Sequence, residues 1–213
     1  MNKEQLNRDR IILRNIQPED VHELEVLSHT GFPGMDAFKA ENFTSHIKIF
    51  PEGQFCVEYD GKLIGSASSM ILNFDEFSPE DNFDTVTADG MITNHNPDGQ
   101  DLYGVDVVVH PDYRGFKIGS MLYEARRNLC KSLNLKRIVF GGRIPGYHKV
   151  ADKLTAEEYV QEVLDGKRTD PTMSFQLGQG FRYKGIIPNY IPDDTESMGY
   201  ATLMEWINPD YKP

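Results

Sequence analysis

Residues 102–120 read LYGVDVVVHPDYRGFKIGS, and residues 121–135 continue MLYEARRNLCKSLNL. The first half, nearly all apolar and stopped by Pro111, has the composition of a buried strand. In the second half Ile118, Leu122, Ala125, Leu129 and Leu133 recur on one face of a helix, which the spacing predicts from about residue 118 to 134. The junction holds Arg114, Gly115, Lys117 and Gly119. The first turn of a helix has unpaired N–H groups and a partial positive charge. A bare Gly119 lets an anion come close, and Arg114, Lys117 and Ser120 add donors and charge. That combination suits a pyrophosphate. A turn that uses glycine only for its backbone freedom is the plain alternative at this point. The stretch has neither GxxxxGK(S/T) nor GxGxxG, so it is no Walker loop and no dinucleotide fingerprint.

Downstream, LKRIVFGG (135–142) reads as another strand, and strand–helix–strand makes a parallel unit. Upstream, GQFCVEYDGKLIGSASSMIL (53–72) is a hairpin turned by Asp60-Gly61. A strand over 10–16, a helix carrying Val21, Leu24 and Leu27, and a second helix within 35–50 precede it. Pro18, Glu19 and Asp20 suit the start of the first helix. Residues 73–100 are acidic and turn-rich, a length of connection that is often functional. After 142 come a short helix within 155–166, another within 172–181, and closing strands at 182–187 and 199–206 joined by the acidic loop 188–198. No repeat or linker interrupts this order. One α+β domain over 1–213 is expected, with an inserted segment at about 143–170.

The chain carries 33 acids against 22 bases, a net charge of −11, which argues against general nucleic-acid binding because phosphate affinity needs clustered Lys and Arg. It permits a cationic substrate, whose approach a negative field speeds. No run of about 18 apolar residues is present, so no membrane span is expected. The opening MNKEQLNRDR has no apolar stretch behind its charges, so no secretory signal is expected and a cytoplasmic location is the default. Cys56 and Cys130 lie in apolar-patterned segments and suggest no disulfide framework. None of the six histidines falls in a metal-ligand spacing, so no metal is expected.

Strand, V-x-P-x-Y-R-G-x-x-I-G, amphipathic helix, strand, short helix ending G-F, and a final hairpin follow one another here. In that order the chain resembles the GNAT superfamily of N-acetyltransferases. The element order covers nearly the whole chain; residue-level matching is confined to about 102–142, with a weaker echo at 174–206. The resemblance implies a central mixed, mostly antiparallel sheet flanked by helices, with a splayed parallel strand pair holding acyl-CoA. It also implies transfer of an acetyl or other acyl group from acetyl-CoA, as cosubstrate, to an amine by direct attack. The family signature (Q/R)-x-x-G-x-(G/A) falls on Arg114, Lys117 and Gly119, with lysine in place of the middle glycine. By the same resemblance the backbone of Val107, Val108 and Val109 pairs with the pantetheine arm. The N–H groups of Gly115, Phe116, Lys117, Ile118, Gly119 and Ser120 hold the pyrophosphate. An N–H near Val107–Val109 polarises the thioester carbonyl. As side chains the three valines are ordinary core.

Acyl transfer to an amine needs a base for the amine proton and an acid for the leaving thiolate. Asp106 interrupts the apolar run and matches an acidic position of many family members, which makes it the candidate base; a carboxylate capping a strand bulge or pairing with an arginine is the other reading. Many members place a tyrosine four residues before the G-F glycine, where this chain has Gln176. Either no side-chain acid operates or another tyrosine has moved in; Tyr147 is the substitute candidate, with an ordinary surface-loop tyrosine as the other reading. The acceptor is expected to be a small, cationic amine such as a polyamine or aminated sugar. Segments 73–100, 143–170 and 188–198 are expected to wall its site, with Asp193, Asp194 and Glu196 either as charged contacts or as an ordinary solvated acidic loop. The rival reading is a catalytically weak acyl-CoA-binding sensor or interaction module, which the absent tyrosine and Lys117 keep open. A homodimer is left open.

Overall fold

Asp60 and Gly61, both in the left-handed region (φ 53° and 76°), close a two-residue hairpin between β2 (Phe55–Tyr59) and β3 (Lys62–Leu72). This hairpin seeds a seven-stranded sheet in a computed structural model that describes residues 6–78 and 80–213. Residues 1–5, on which part of the leader argument rests, lie outside the described residues, as does residue 79. The other strands are β1 (Ile11–Asn15), β4 (Asp101–Val109), β5 (Arg137–Arg143), β6 (Arg182–Ile187) and β7 (Ala201–Ile207), in the order β1-β2-β3-β4-β5-β7-β6. Every neighbouring pair is antiparallel except β4 and β5. The expected class, a mixed and mostly antiparallel sheet with one parallel pair, is what the structure has.

The parallel pair is paired at one end only. Asp101, Leu102 and Tyr103 match Arg137, Ile138 and Val139, and beyond them the strands separate. Arg137 fastens the closed end, donating to Asp101 (2.7 Å) and to Glu205 of β7 (2.9 Å). At the open end two successive glycines of β5 admit side chains against the strand. A Cβ on Gly141 would lie 2.3 Å from the Tyr190 ring, and one on Gly142 would lie 2.3 Å from Gln176 Oε1. Any side chain there would displace the groups that fill the gap.

Helices cover both faces of the sheet. α1 (Val21–Gly31) and α2 (Ala40–Ile49) enclose a core of Leu24, Leu27, Phe43, Cys56 and Val108. α4 (Ile118–Ser132) packs Ile118 and Leu122 against Val57, Ile64 and Ala67 on the opposite face. α3 (Phe83–Thr87) lies in the 73–100 connection. α5 (Ala156–Leu164) and α6 (Met173–Gly178) occupy the segment after β5. There α5 and Met173 build a separate small core with Ile144 and Tyr147. Both cysteines are free and buried. No helix among the described residues is long and apolar enough to cross a membrane.

Candidate active site

A cavity of about 1210 Å³ runs through the gap between β4 and β5. At one end stands the turn quoted first. Gly115 (φ 87°) and Lys117 (φ 67°) are both left-handed, and Lys117 forms the N-cap of α4 without a side-chain capping bond. In consequence the N–H groups of Gly115 through Ser120 make no hydrogen bond among the described residues. Lysine sits where the family motif has glycine, in a conformation that costs an L-residue about 1–2 kcal/mol. The strained backbone is kept and a cation is added. Arg114 is turned to other work: Nε donates to Val109 O and Nη2 to Gly31 O, both at 3.3 Å. Gly119 meets a packing need as well. A Cβ there would approach Phe175 Cζ of α6 to 3.1 Å, so the bare position also serves helix packing.

The wall of the gap is β4. His110 N donates to Ile64 O across the antiparallel ladder, and by the alternation of such a ladder the polar groups of Val108 also turn to β3. Those of Val107 and Val109 turn toward the gap. The register with β3 slips between Ser68 and Ser69, opposite Asp106 and Gly104, so Val105 is bulged. The bulge frees polar groups, and two side chains satisfy them. Asp106 Oδ1 accepts from Ser68 N at 3.1 Å. Arg126 of α4, with 2% of its surface exposed, donates Nη2 to Ser68 O (2.8 Å) and Asp106 O (2.7 Å) and Nε to Ser69 Oγ (3.0 Å).

Asp106 therefore caps the bulge through one oxygen and lines the cavity. Its Oδ2 is shut from solvent and has no partner. Burial pushes its pKa up to about 6, against the opposing pull of Arg126 and the Ser68 N–H. Arg126 itself was not legible in the sequence, where it is one cation among several on a helix; only the bulge explains a buried guanidinium.

Tyr147 is placed elsewhere. It is buried in the α5 core, its hydroxyl donates to Leu154 O at 3.1 Å, and it lines a separate shallow pocket with Tyr200. Gln176 does line the main cavity, and its Nε2 donates to Tyr123 Oη at 3.4 Å. Tyr123 is also on the cavity wall, and nothing in the sequence pattern singles it out.

The opposite end of the cavity is acidic. Asp36, Asp84, Asp89 and Asp193 line it from three separate segments, with Lys39 also on the wall, 3.6 Å from Asp36. Burial and the neighbouring charges of Asp89, Asp193 and Asp36 raise the pKa of Asp84. Asp89 sits in a left-handed run (Ala88 φ 52°, Asp89 φ 58°, Gly90 φ 71°). Gly90 anchors that run, accepting from His46 Nε2 at 2.7 Å and from Asn42 Nδ2 at 3.3 Å. Burial lowers the pKa of His46 to about 4, so the ring is neutral at pH 7. Of the charged contacts expected in 188–198, Asp193 faces the cavity but Asp194 does not. Asp194 is buried and takes both its oxygens to Arg143 at 2.6 Å; burial opposes its ionisation, but Arg143 and Ser197 outweigh it and hold the pKa low. Glu196 lines the cavity but is paired with the same arginine at 3.0 Å. The inserted segment contributes only its beginning to the wall, Arg143 and Pro145, while the α1–α2 connection, including Phe32, Met35 and Asp36, contributes more.

A splayed parallel pair, a bulged strand beside the gap and a ring of free N–H groups at a helix start define the acyl-CoA-handling N-acetyltransferase class of fold. Residues 19–148 match the model of the acetyltransferase (GNAT) family. The chain belongs to that family. It is 52% identical over 204 residues to the probable hydrolase YhcX of Bacillus subtilis (strain 168), covering 96% of this chain and 40% of that protein, so it spans well under half the length of that relative. It is 37% identical over 208 residues to the uncharacterized N-acetyltransferase YkwB of the same organism, covering 96% of this chain and 92% of that one. Among solved structures, the GphF GNAT-like decarboxylase in complex with isobutyryl-CoA shares the fold at a TM-score of 0.78 and 22% identity, covering 92% of this chain and 99% of that one.

Proposed function

We propose that the protein transfers an acetyl group from acetyl-CoA to an amine of a small, cationic acceptor. The observation that carries this reading is the polarity of one continuous cavity: free N–H groups and Lys117 at one end, four aspartates at the other. The pyrophosphate rests on the N–H groups of Gly115–Ser120, where the helix dipole adds to them. The pantetheine arm lies along the free edge of β4 at Val107 and Val109, and an N–H of that edge stabilises the oxyanion. The acceptor enters from the acidic end, so its amine meets the thioester in the gap. Asp106 takes the amine proton by relay, since its Oδ2 is closed to solvent; its pKa of about 6 leaves it mostly ionised at neutral pH yet basic enough to act.

The test is calorimetric titration with acetyl-CoA, followed by thiol release with a panel of amines. Turnover with polyamines or amino sugars and little with neutral amines is expected. Tight acetyl-CoA binding with no turnover on any amine overturns the transferase reading in favour of a sensor. No binding by folded protein overturns both.

A further inference from the structure

The sulfur that leaves a thioester needs a proton, and at the position where the family resemblance expects a donor this chain has an amide, Gln176. We propose that Tyr123 of α4 donates that proton and that Gln176 holds its hydroxyl in place. The assignment rests on the acyl-transfer reading above.

Gln176 Nε2 donates to Tyr123 Oη at 3.4 Å, which occupies a lone pair of the phenol and leaves its hydrogen without an acceptor among the described residues. Phe140, Phe175 and Phe181 meet the Tyr123 ring edge-on, with centroids 6.1, 5.3 and 5.4 Å away, so the ring is clamped. Tyr123 and Gln176 both face the cavity, beside the bare Gly142 of β5. Of the other tyrosines, Tyr103 and Tyr190 share a hydroxyl–hydroxyl bond, Tyr147 bonds Leu154 away from the gap, and Tyr113 lines the cavity on the turn after β4, packed on the His110 ring. Arg126 lies over the Tyr123 ring, 5.8 Å from its centroid, where its charge favours the phenolate left when the proton departs. Burial raises the phenol pKa while Arg126, Gln176 and Arg127 work to lower it; Phe140, Phe175 and Phe181 bring no charge.

The step balances. The amine nitrogen bonds to the carbonyl carbon, the C–S bond breaks, and the sulfur takes the Tyr123 hydroxyl proton. The phenolate regains a proton from the one the amine gave up, so amine and thioester become amide and thiol.

The experiment compares wild type with Tyr123→Phe, using the amine that wild type acylates. A kcat loss of about 10²-fold with unchanged calorimetric affinity for acetyl-CoA is expected. With S-acetyl thionitrobenzoate, whose thiolate leaves without a proton, the variant should keep pace with wild type. Equal loss with both donors, or no loss with acetyl-CoA, overturns the assignment. A fluorinated tyrosine at 123 keeps the packing and makes the hydroxyl more acidic; the alkaline limb of kcat should move to lower pH, and an unmoved limb overturns the assignment. A wild type that binds acetyl-CoA yet acylates nothing overturns the transferase reading and this assignment with it. A wild type that acylates and a Tyr123→Phe that matches it overturns this assignment alone.

Discussion

The two ends of the cavity are built from different material. At the end proposed for the donor the free polar groups are backbone N–H groups from six consecutive residues, exposed by two left-handed residues and a helix start. At the acceptor end they are side-chain carboxylates from the α1–α2 connection, the 83–90 turn and the 188–198 loop. Backbone binding is insensitive to most side-chain replacements and responds to added bulk or charge. Side-chain binding responds to each carboxylate removed. The contrast suits a shared donor and a particular acceptor.

The largest expected effect breaks the donor end. Gly119→Glu places a carboxylate among the free N–H groups, and acetyl-CoA affinity should fall by about 100-fold or more, read by calorimetry. Gly119→Ala sharpens the point: its Cβ meets only Phe175, so binding should survive with a stability loss of about 1 kcal/mol, read by thermal melting.

Asp106 stands between the two ends and separates chemistry from stability. Asp106→Asn should cut kcat by about 10²-fold without changing acetyl-CoA affinity. Its folded pKa, about 6, lies above the ordinary value of 3.8, so the folded state holds its proton more firmly and the carboxylate costs stability as pH rises from 4 to 6. The variant should therefore gain stability over wild type above pH 6, with a ceiling of about 3 kcal/mol, and lose that gain below pH 4. Urea melts at pH 4 and pH 7.5 decide it. A variant destabilised at both pH values would show that capping Ser68 N outweighs the buried charge.

At the acceptor end, Asp89→Asn should raise KM for a cationic acceptor by about tenfold, or ~1.4 kcal/mol, and leave acetyl-CoA binding alone. It should also let the raised pKa of Asp84 fall, visible by carboxyl NMR titration. Equal loss with a neutral amine would break the contrast between the ends.

The smallest effect is Lys117→Gly. Glycine adopts φ 67° without penalty but loses more chain entropy, so a net gain of up to about 1 kcal/mol is expected. Acetyl-CoA affinity should drop a few-fold with the lost cation, and more steeply at low salt.

The donor end was readable because its geometry is local: strand, proline, glycine turn and helix start are contiguous, and their backbone consequences follow from a dozen residues. Hairpin, parallel unit and closing strands were readable for the same reason, since each rests on short-range turn chemistry and periodicity. The acceptor end was not, and Asp193 and Asp194 show why. They are neighbours of identical chemistry, yet one faces the cavity and the other is buried on Arg143, fifty-one positions away. Tyr147 and Tyr123 teach the same lesson from the other side. Loop position suggested Tyr147 as a catalytic tyrosine, and no local pattern singled out Tyr123; the packing of α5 enclosed the first and the gap beside β5 opened onto the second. Sequence alone determined the strands, the main helices, their order and the glycine turn with its helix start, because these arise from interactions within a few residues. Only the tertiary structure decided which carboxylates face the cavity, why Arg126 is buried and that Tyr123 reaches the gap, because each depends on partners brought together from distant parts of the chain.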